Sequence, residues 1–311
     1  MIKEDMNALR HKLKTIVAMA VVSMVCLQPA VAQNNAMLRT SLAEIAATLK
    51  ADVGVAILDL ERGDTVMLNG HQHFPMQSVY KFPLALMVLR QVDQGKLSLD
   101  KKIKLRKEDL LPNTWSPLAK KYPEGNVEVT LREILSYTVS QSDNNGCDVL
   151  FRLMGGTANV HDYVHSLGVT EIAIAATEEE MHRSWPVQFT NWCEPVAMAQ
   201  LLKQFDRGNI LSMASRDFLW KIMVETTTGP KKLKGLLPAG TVVAHKTGMG
   251  DYSDDGVLGA QNDAGIIVLP NGKRIAIAVF ISNTRETDNE KIELVIARLS
   301  KATYDHFNTK R

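Results

Sequence analysis

Residues 78–89 of this chain read Ser-Val-Tyr-Lys-Phe-Pro-Leu-Ala-Leu-Met-Val-Leu, in which Ser78 and Lys81 are followed by an apolar run. The run continues at helical spacing, so Ser78 and Lys81 project from one face at the start of a helix. A lysine in a poorly solvated site can have its pKa lowered enough to help remove the serine proton. The helix N-terminus adds partial positive charge where an oxyanion would form. The stretch is therefore consistent with a serine nucleophile at the start of a helix, although most instances of this spacing, taken alone, are solvated helix faces.

Two further motifs follow in order, Ser142-Asp143-Asn144 after 64 residues and Lys246-Thr247-Gly248 after another 104. The first precedes an apolar stretch and is typical of a loop entering a helix, which an N-cap cluster would also produce. We therefore expect Asp143 to be structural rather than catalytic. The second motif ends a predicted strand, where Gly248 allows a ligand to approach the backbone. Each motif is common by chance, but the ordered set within one chain is not.

The set S-x-x-K, S-D-N and K-T-G is typical of class A β-lactamases and penicillin-binding proteins, and the chain resembles a class A serine β-lactamase over nearly its whole length after residue 32. The resemblance implies a small-molecule β-lactam substrate and no cofactor. It leaves open whether Lys81 or Glu178 is the acylation base. The resemblance implies that Ser78 attacks the lactam carbonyl and that Ser142, with Lys81 and Lys246, delivers a proton to the lactam nitrogen. It also implies that Asn144, Thr247 and Gly248 bind the substrate. The backbone N–H groups of Ser78 and Met249 would form the oxyanion hole.

The segment Ala176-Thr-Glu-Glu-Glu-Met-His182 supplies the carboxylate that a hydrolase needs to activate water. By resemblance Glu178 is this base, although Glu179 and Glu180 remain possible partners. His182 stands where many class A enzymes have Asn. That substitution resembles a divergent extended-spectrum or cephalosporinase branch of class A, for which cephalosporins are expected to be better substrates than carbapenems.

The walls of the site are predicted partly from departures from the commoner class A pattern. The Arg and Asp that often hold the neck of the Glu178-bearing loop appear here as Ala176 and Asn191. We therefore expect a differently folded loop over about 177–192 and a roomier site. Gln77, Trp115 and His182 are candidate substrate-binding residues, although a tryptophan in a turn is equally well explained by packing or by a surface patch.

Hydrophobic periodicity predicts the fold class. Helical spacing recurs near both ends, strand signals lie next to it, and the middle of the chain is mostly helical. The predicted elements are helices over 37–51 and 290–307, strands over 53–60 and 241–244, and a hairpin over 265–281. These predict an α/β fold of the serine β-lactamase and penicillin-binding-protein transpeptidase type. An antiparallel sheet is flanked by terminal helices, an all-α subdomain is inserted, and the active site lies in the groove between them.

The first residues predict a targeting segment. A basic start is followed by an apolar run over 15–27, too short to span a bilayer, and then by Pro29-Ala-Val-Ala32. We expect a signal peptide over 1–32, cleavage near Ala32 and Gln33, and a periplasmic or secreted protein, with lipidation at Cys26 left open. The expected division is a signal peptide at 1–32 and one catalytic domain at 33–311, with an α/β part over about 33–75 and 231–311 and a helical part over about 76–230.

Composition limits the partners. The 36 Lys and Arg and 34 Asp and Glu fall to 32 of each once residues 1–32 are removed, so the remaining chain is formally neutral. We therefore expect no nucleic-acid partner and no stable membrane insertion, and we expect a monomer. Two cysteines remain, Cys147 and Cys193, either as a disulfide or as two buried thiols.

Three other functions are considered. In a zinc hydrolase, His71-Gln-His73 would need Asp where Pro75 stands, and the pair His161 and His165 has no visible third ligand. We therefore expect no metal. A β-lactam sensor that stays acylated, or a D-alanyl-D-alanine carboxypeptidase of the penicillin-binding type, would have no need of Glu178. That residue distinguishes both from a β-lactamase.

Overall fold

The computed structural model describes residues 33–208 and 210–308. The predicted signal peptide, with Cys26 inside it, lies outside the described residues. Within those residues, no helix has both the length and the apolar character needed to cross a bilayer.

The described residues form ten strands and ten α-helices, numbered here in chain order. The strands are β1 (Asp52–Asp59), β2 (Thr65–Leu68), β3 (Phe74–Pro75), β4 (Lys102–Leu105), β5 (Val127–Thr130), β6 (Ile172–Ala173), β7 (Trp192–Cys193), β8 (Val243–Met249), β9 (Gln261–Val268) and β10 (Arg274–Ser282). The helices are α1 (33–46), α2 (Lys81–Asp93), α3 (Pro117–Lys121), α4 (Leu131–Ser140), α5 (Asn144–Leu153), α6 (Thr157–Ser166), α7 (Glu178–Arg183), α8 (Pro195–Asp206), α9 (Met213–Val224) and α10 (Asn289–Phe307). Short 3₁₀ segments span Gln77–Tyr80, Lys107–Asp109 and Trp185–Thr190.

An antiparallel five-stranded sheet, in the order β2-β1-β10-β9-β8, forms the centre of the fold. All of its strands except β2 are buried along nearly their whole length, because both faces of the sheet are covered. Alternate residues of β1 divide between two cores: Val55 and Ile57 pack with the terminal helices, whereas Ala56 and Leu58 belong to the core shared with the central helices. The predicted α/β architecture, with its flanking terminal helices, is confirmed.

Helix α2 runs through the helical part of the fold. Its residues from Lys81 to Leu89 are all buried except Met87, and a helix that is apolar around its circumference belongs in a core. The same helix starts immediately after the 3₁₀ turn that carries Ser78. Burial of α2 therefore holds Ser78 and Lys81 at the groove between the sheet and the helices.

The groove follows strand β8, an edge strand of the large sheet. The sequence predicted a strand over 241–244, but the strand runs from Val243 to Met249 because its pairing with β9 continues through Lys246 and Thr247. The Lys-Thr-Gly motif therefore lies along a sheet edge that faces the helical part. The question left open about the cysteines is also answered, since Cys147 and Cys193 are both buried and free.

Candidate active site

Ser78 lies in the 3₁₀ turn that leads into α2, and its side chain is only partly exposed. The preceding residue, Gln77, has a φ of 47°, and Ser142 across the groove has a φ of 59°. Residues other than glycine adopt this left-handed region rarely, at a cost of about 1–3 kcal/mol each. The surrounding packing therefore holds strained backbone on both sides of the serine hydroxyl.

Lys81 lies at the centre of the site and is fully buried. Its Nζ is 3.0 Å from Ser78 Oγ, 2.9 Å from the backbone oxygen of Ser142, 2.6 Å from Asn144 Oδ1 and 2.9 Å from Glu178 Oε1. An ammonium group has three protons to donate, so these four oxygens compete for them. The amine therefore bridges the serine hydroxyl and the glutamate carboxylate.

Glu178 begins helix α7, and its side chain is 11% exposed. Its Oε1 lies 3.4 Å from Ser78 Oγ, which can donate to it. Both the amine of Lys81 and the carboxylate of Glu178 are thus close enough to accept the serine proton, with the amine nearer by 0.4 Å. The geometry keeps both candidates for the acylation base.

Ser142 and Lys246 form a second polar pair in the groove. Lys246 is fully buried and its Nζ donates to Ser142 Oγ at 2.8 Å. Burial, together with the nearby charge of Lys81, lowers the pKa of Lys246 well below its usual range. A lysine that gives up its proton more readily, hydrogen-bonded to a serine hydroxyl, can pass a proton through that hydroxyl.

Asp143 stabilises the turn that carries the Ser-Asp-Asn motif. It is the N-cap of α5, where its carboxylate accepts from the N–H of Gly146, and it also accepts from Ser116 Oγ and from the N–H of Leu118. These contacts fix the turn that presents Ser142 and Asn144. Asn144 donates through its amide to Thr114 Oγ1 at 2.8 Å while its oxygen accepts from Lys81.

Gly248 brings the edge strand against the serine segment. A Cβ at this position would lie 2.7 Å from the backbone oxygen of Met76 and 3.3 Å from the backbone nitrogen of Ser78. The close approach therefore requires glycine. Thr247, next to it, exchanges a hydroxyl hydrogen bond with Thr228, and the exposed Met249 follows at the end of β8.

Lys232 supports this end of the strand from inside the fold. It is buried, and its Nζ donates to the backbone oxygens of Gly248 and Asn262. Burial lowers its pKa to about 8. No motif in the sequence pointed to this residue, because its role depends on the packing of distant strands.

Residues 174–191, here called the Glu178 segment, are closed at the neck by the pairing of β6 with β7 and by the side chain of Asn191. Asn191 is fully buried, and its Oδ1 accepts from the N–H groups of Ala175 and Ala176 at 2.7 and 2.9 Å, while its Nδ2 donates to the oxygen of Ala176 at 2.8 Å. A single amide thus joins both ends of the segment. Many class A enzymes hold this neck with an Arg–Asp pair, whose positions are taken here by Ala176 and Asn191. Hydrogen bonds between the Asn191 side chain and the backbone hold the neck instead.

The Glu178 segment is more regular than the loop expected over 177–192. It contains α7 and the 3₁₀ stretch Trp185–Thr190, and α7 starts with a capping box in which Thr177 and Glu180 bond reciprocally. The sequence signal for this start, Thr-x-x-Glu, is visible at 177–180. Glu180 is therefore occupied in the cap, and Glu179 is exposed and paired with Arg183.

Asp148 is a residue of the site that the sequence did not reveal. It projects from α5, and its two oxygens accept from the N–H groups of Glu178 and Glu179 at 2.8 and 2.9 Å. Burial, with a further contribution from the charge of Glu178, raises its pKa to about 7. It anchors the first turn of α7 and so positions the Glu178 carboxylate.

A cleft of about 410 Å³ opens above these groups. The candidate wall residues Gln77, Trp115 and His182 all line it, together with Asn144 and Met249. Trp115 is 52% exposed and His182 is exposed. Gln77 donates to Gln188 of the Glu178 segment, so one wall of the cleft is tied to that segment.

A serine in the turn that leads into a central helix, with two buried lysines and a carboxylate from a separate segment close to it, is the arrangement expected of an enzyme of the serine acyl-transfer class. A family model described as "Beta-lactamase enzyme family" matches residues 37–307. The chain belongs to this family, and its fold is that of a class A serine β-lactamase, an enzyme that hydrolyses the β-lactam ring.

The similarity to individual proteins extends over most of the chain. β-Lactamase VEB-1 of Pseudomonas aeruginosa is 47% identical over 84% of this chain and 87% of that protein. The extended-spectrum β-lactamase PER-1 of the same organism is 44% identical over 86% of each. A crystal structure of a β-lactamase from Chitinophaga pinensis is 57% identical, covers 87% of this chain and 99% of that one, and superposes with a TM-score of 0.85.

Proposed function

We propose that Ser78 is the nucleophile of this β-lactamase and that Glu178 activates the water that releases the acyl-enzyme. The observation that carries the proposal is the position of Lys81 Nζ, 3.0 Å from Ser78 Oγ and 2.9 Å from Glu178 Oε1. One cation thus connects the group that must lose a proton with the group that can receive it.

The reaction follows from these contacts in two steps. Ser78 Oγ forms a bond to the lactam carbonyl carbon as its proton passes to Lys81 or Glu178, and the negative oxygen is stabilised by the backbone N–H groups of Ser78 and Met249. The carbon–nitrogen bond then breaks while Ser142 protonates the lactam nitrogen and draws a proton from Lys246, which lies 2.8 Å away. In the second step Glu178 takes a proton from water as the water oxygen bonds to the ester carbonyl carbon. The bond from that carbon to Ser78 Oγ then breaks, and the proton returns to Oγ, which restores Ser78.

Substrate binding is assigned to the residues around the cleft. The buried Lys246, with Thr247 and Gly248, suits the substrate carboxylate, and Asn144 suits the acyl amide. Gln77, Trp115 and His182 line the outer cleft, which is wide enough for bulky side chains. We propose cephalosporins, including oxyimino compounds, as preferred substrates over carbapenems. The proposal is supported by the similarity to a relative named as an extended-spectrum enzyme.

The proposal is tested by mixing the purified protein with excess chromogenic cephalosporin and following both hydrolysis and protein mass. Wild type should turn over continuously. Glu178→Gln should slow hydrolysis by about 10²–10⁴-fold and accumulate a covalent adduct on Ser78. The matched control Glu179→Gln alters an exposed neighbouring carboxylate and should behave as wild type.

Two results would overturn the assignments. A single stoichiometric burst from wild type would identify a sensor or a penicillin-binding carboxypeptidase, neither of which is favoured by the family match. Sustained turnover by Glu178→Gln would mean that another group activates the water. Comparing kcat/KM for an oxyimino cephalosporin, a penicillin and a carbapenem tests the substrate preference, which fails if the carbapenem is hydrolysed best.

We also propose that the protein is exported as a monomer after cleavage near Ala32 and Gln33. The basic and apolar pattern of residues 1–32 supports this proposal. The mass of the protein recovered from the periplasm should correspond to a chain starting at Gln33. A mass that includes lipid on Cys26 would contradict it, as would a dimer in size-exclusion chromatography with light scattering.

A further inference from the structure

A group of metal-ligand side chains lies outside the groove, on the small sheet formed by β3, β7 and β6. Cys193 of the middle strand pairs with Phe74 on one side and with Ile172 on the other. Continuing this antiparallel register by one residue places Glu194 between His73 and Glu171. The N–H of Glu194 donates to the backbone oxygen of Glu171, which confirms that the pairing continues.

The three side chains converge. His73, Glu171 and Glu194 each offer a ligand atom, and these atoms all lie within 4.8 Å of one another. The Nε2 atom of His73 lies 4.0 Å from Glu171 Oε2. A tetrahedral zinc ion with ligands at about 2.1 Å needs ligand atoms about 3.4 Å apart. Small rotations of His73 and Glu171, which are both exposed, would close that difference.

Two members of the group are already oriented. The ring of His73 stacks on Trp192, with centroids 3.6 Å apart and planes at 14°. Glu194 is 8% exposed and accepts from His71 Nδ1 at 2.8 Å. Because a carboxylate only accepts, His71 carries its proton on Nδ1. Such a hydrogen bond to a ligating carboxylate is the outer contact that commonly orients metal ligands.

The charges also favour a cation. Glu171 and Glu194 are direct neighbours across two strands, and like charges in that relation destabilise a sheet. Glu194 has His71 and the N-terminus of α8 beside it. Glu171 has only the more distant ring of His73 among the measured ion pairs of the described residues. A divalent cation between the two carboxylates would remove the repulsion.

We propose that His73, Glu171 and Glu194 bind a divalent transition-metal ion, with Zn²⁺ the best match to one imidazole and two carboxylates. His71 orients Glu194 rather than binding the ion. From the sequence, the His71-Gln-His73 pattern was considered only as part of a possible zinc hydrolase. The proposed metal site is separate from the groove that holds Ser78.

The position of the ion gives it a structural effect. β3 leads directly to Met76 and Gln77 before the serine, whereas β6 and β7 flank the two ends of the Glu178 segment. The N–H of Met76 donates to the oxygen of Asn191. Zn²⁺ would therefore join the three strands at the base of the Glu178 segment and reduce its opening.

The test is isothermal titration of tag-free protein with Zn²⁺, alongside Mg²⁺, combined with hydrogen exchange. Wild type should bind one Zn²⁺ and little Mg²⁺, and the amides of Met76 and Glu194 should exchange more slowly with Zn²⁺. At a free Zn²⁺ concentration about 100 times Kd, the melting temperature should rise by about 5–11 °C.

Variants identify the ligands. His73→Asn and Glu171→Gln, both at exposed positions, should each weaken Zn²⁺ binding by at least about tenfold, and His71→Asn should weaken it less. The controls are His161→Asn, from the other histidine pair, and Glu128→Gln, from an exposed strand position; both should bind as wild type. The proposal is overturned if wild type binds no Zn²⁺ at millimolar concentration. It is also overturned if His73→Asn and Glu171→Gln retain wild-type affinity, or if His161→Asn abolishes binding.

Discussion

Asn191→Ala removes the side chain that joins the two ends of the Glu178 segment next to the pairing of β6 with β7. Besides the contact of Asn191 Nδ2 with Met181 Sδ at 3.2 Å, the change deletes three hydrogen bonds to the backbone, at 2.7, 2.9 and 2.8 Å, from a fully buried amide. Each contributes about 1 kcal/mol net, so we expect a loss of about 3 kcal/mol in the free energy of unfolding. At about 2–4 °C per kcal/mol for a chain of this size, the melting temperature should fall by about 6–12 °C.

Activity should fall by more than the stability loss alone explains, because the neck positions Glu178. Displacement of a catalytic group by about 1 Å can cost about 10²-fold in rate. At a temperature where the variant is still folded, kcat should fall by about 10–100-fold and the acyl-enzyme on Ser78 should accumulate, since attack by water is the step that needs Glu178.

Thermal unfolding, steady-state kinetics with a chromogenic cephalosporin and intact-protein mass measure the three effects of Asn191→Ala. Asn289→Ala, at an exposed position at the start of α10, is the control and should match wild type in all three. The reasoning is refuted if Asn191→Ala melts within about 1 °C of wild type. It is also refuted if the variant is destabilised but releases the acyl group at the wild-type rate.

Two other changes test the surroundings of the site. The pKa of Asp148 is raised from 3.8 to about 7, so the folded carboxyl keeps a proton that the unfolded one has lost, and stability falls as the pH rises between these values. Asp148→Asn removes this dependence. In urea unfolding, the unfolding free energy of Asp148→Asn minus that of wild type should therefore rise by about 2–3 kcal/mol from about pH 5 to about pH 8. Parallel pH profiles of the two proteins would contradict the raised pKa. Gly248→Ala places a Cβ 2.7 Å from the backbone oxygen of Met76. The free energy of unfolding should therefore fall by about 1–3 kcal/mol, and kcat/KM should fall as well. Unchanged kinetics would show that β8 can move away from the serine segment.

Much of the fold was predictable from local patterns. The helical spacing near both termini and the hairpin turn at 270–272 predicted α10, β9 and β10 within a few residues. The strand that carries Lys246 was predicted too short, because its length is set by pairing with β9 rather than by its own residues. The helix at Glu178 was missed although Thr177 and Glu180 form a capping box.

The sequence by itself determined the chemistry that this chain can carry out. Ser78 and Lys81 share a helix start, and the Ser-Asp-Asn and Lys-Thr-Gly motifs follow in a fixed order, so that the resemblance to class A β-lactamases can be recognised from short runs of the chain. Local spacing therefore predicted the nucleophile and its polar partners.

Only the tertiary structure decided how these groups are held. Asp148 anchors Glu178 from 30 residues away, and Asn191 joins the two ends of a segment. His73 meets Glu194 through the register of a three-stranded sheet. These contacts depend on backbone positions set by the packing of remote elements, and a buried hydrogen bond or a cross-strand neighbour leaves no periodic signal in the sequence.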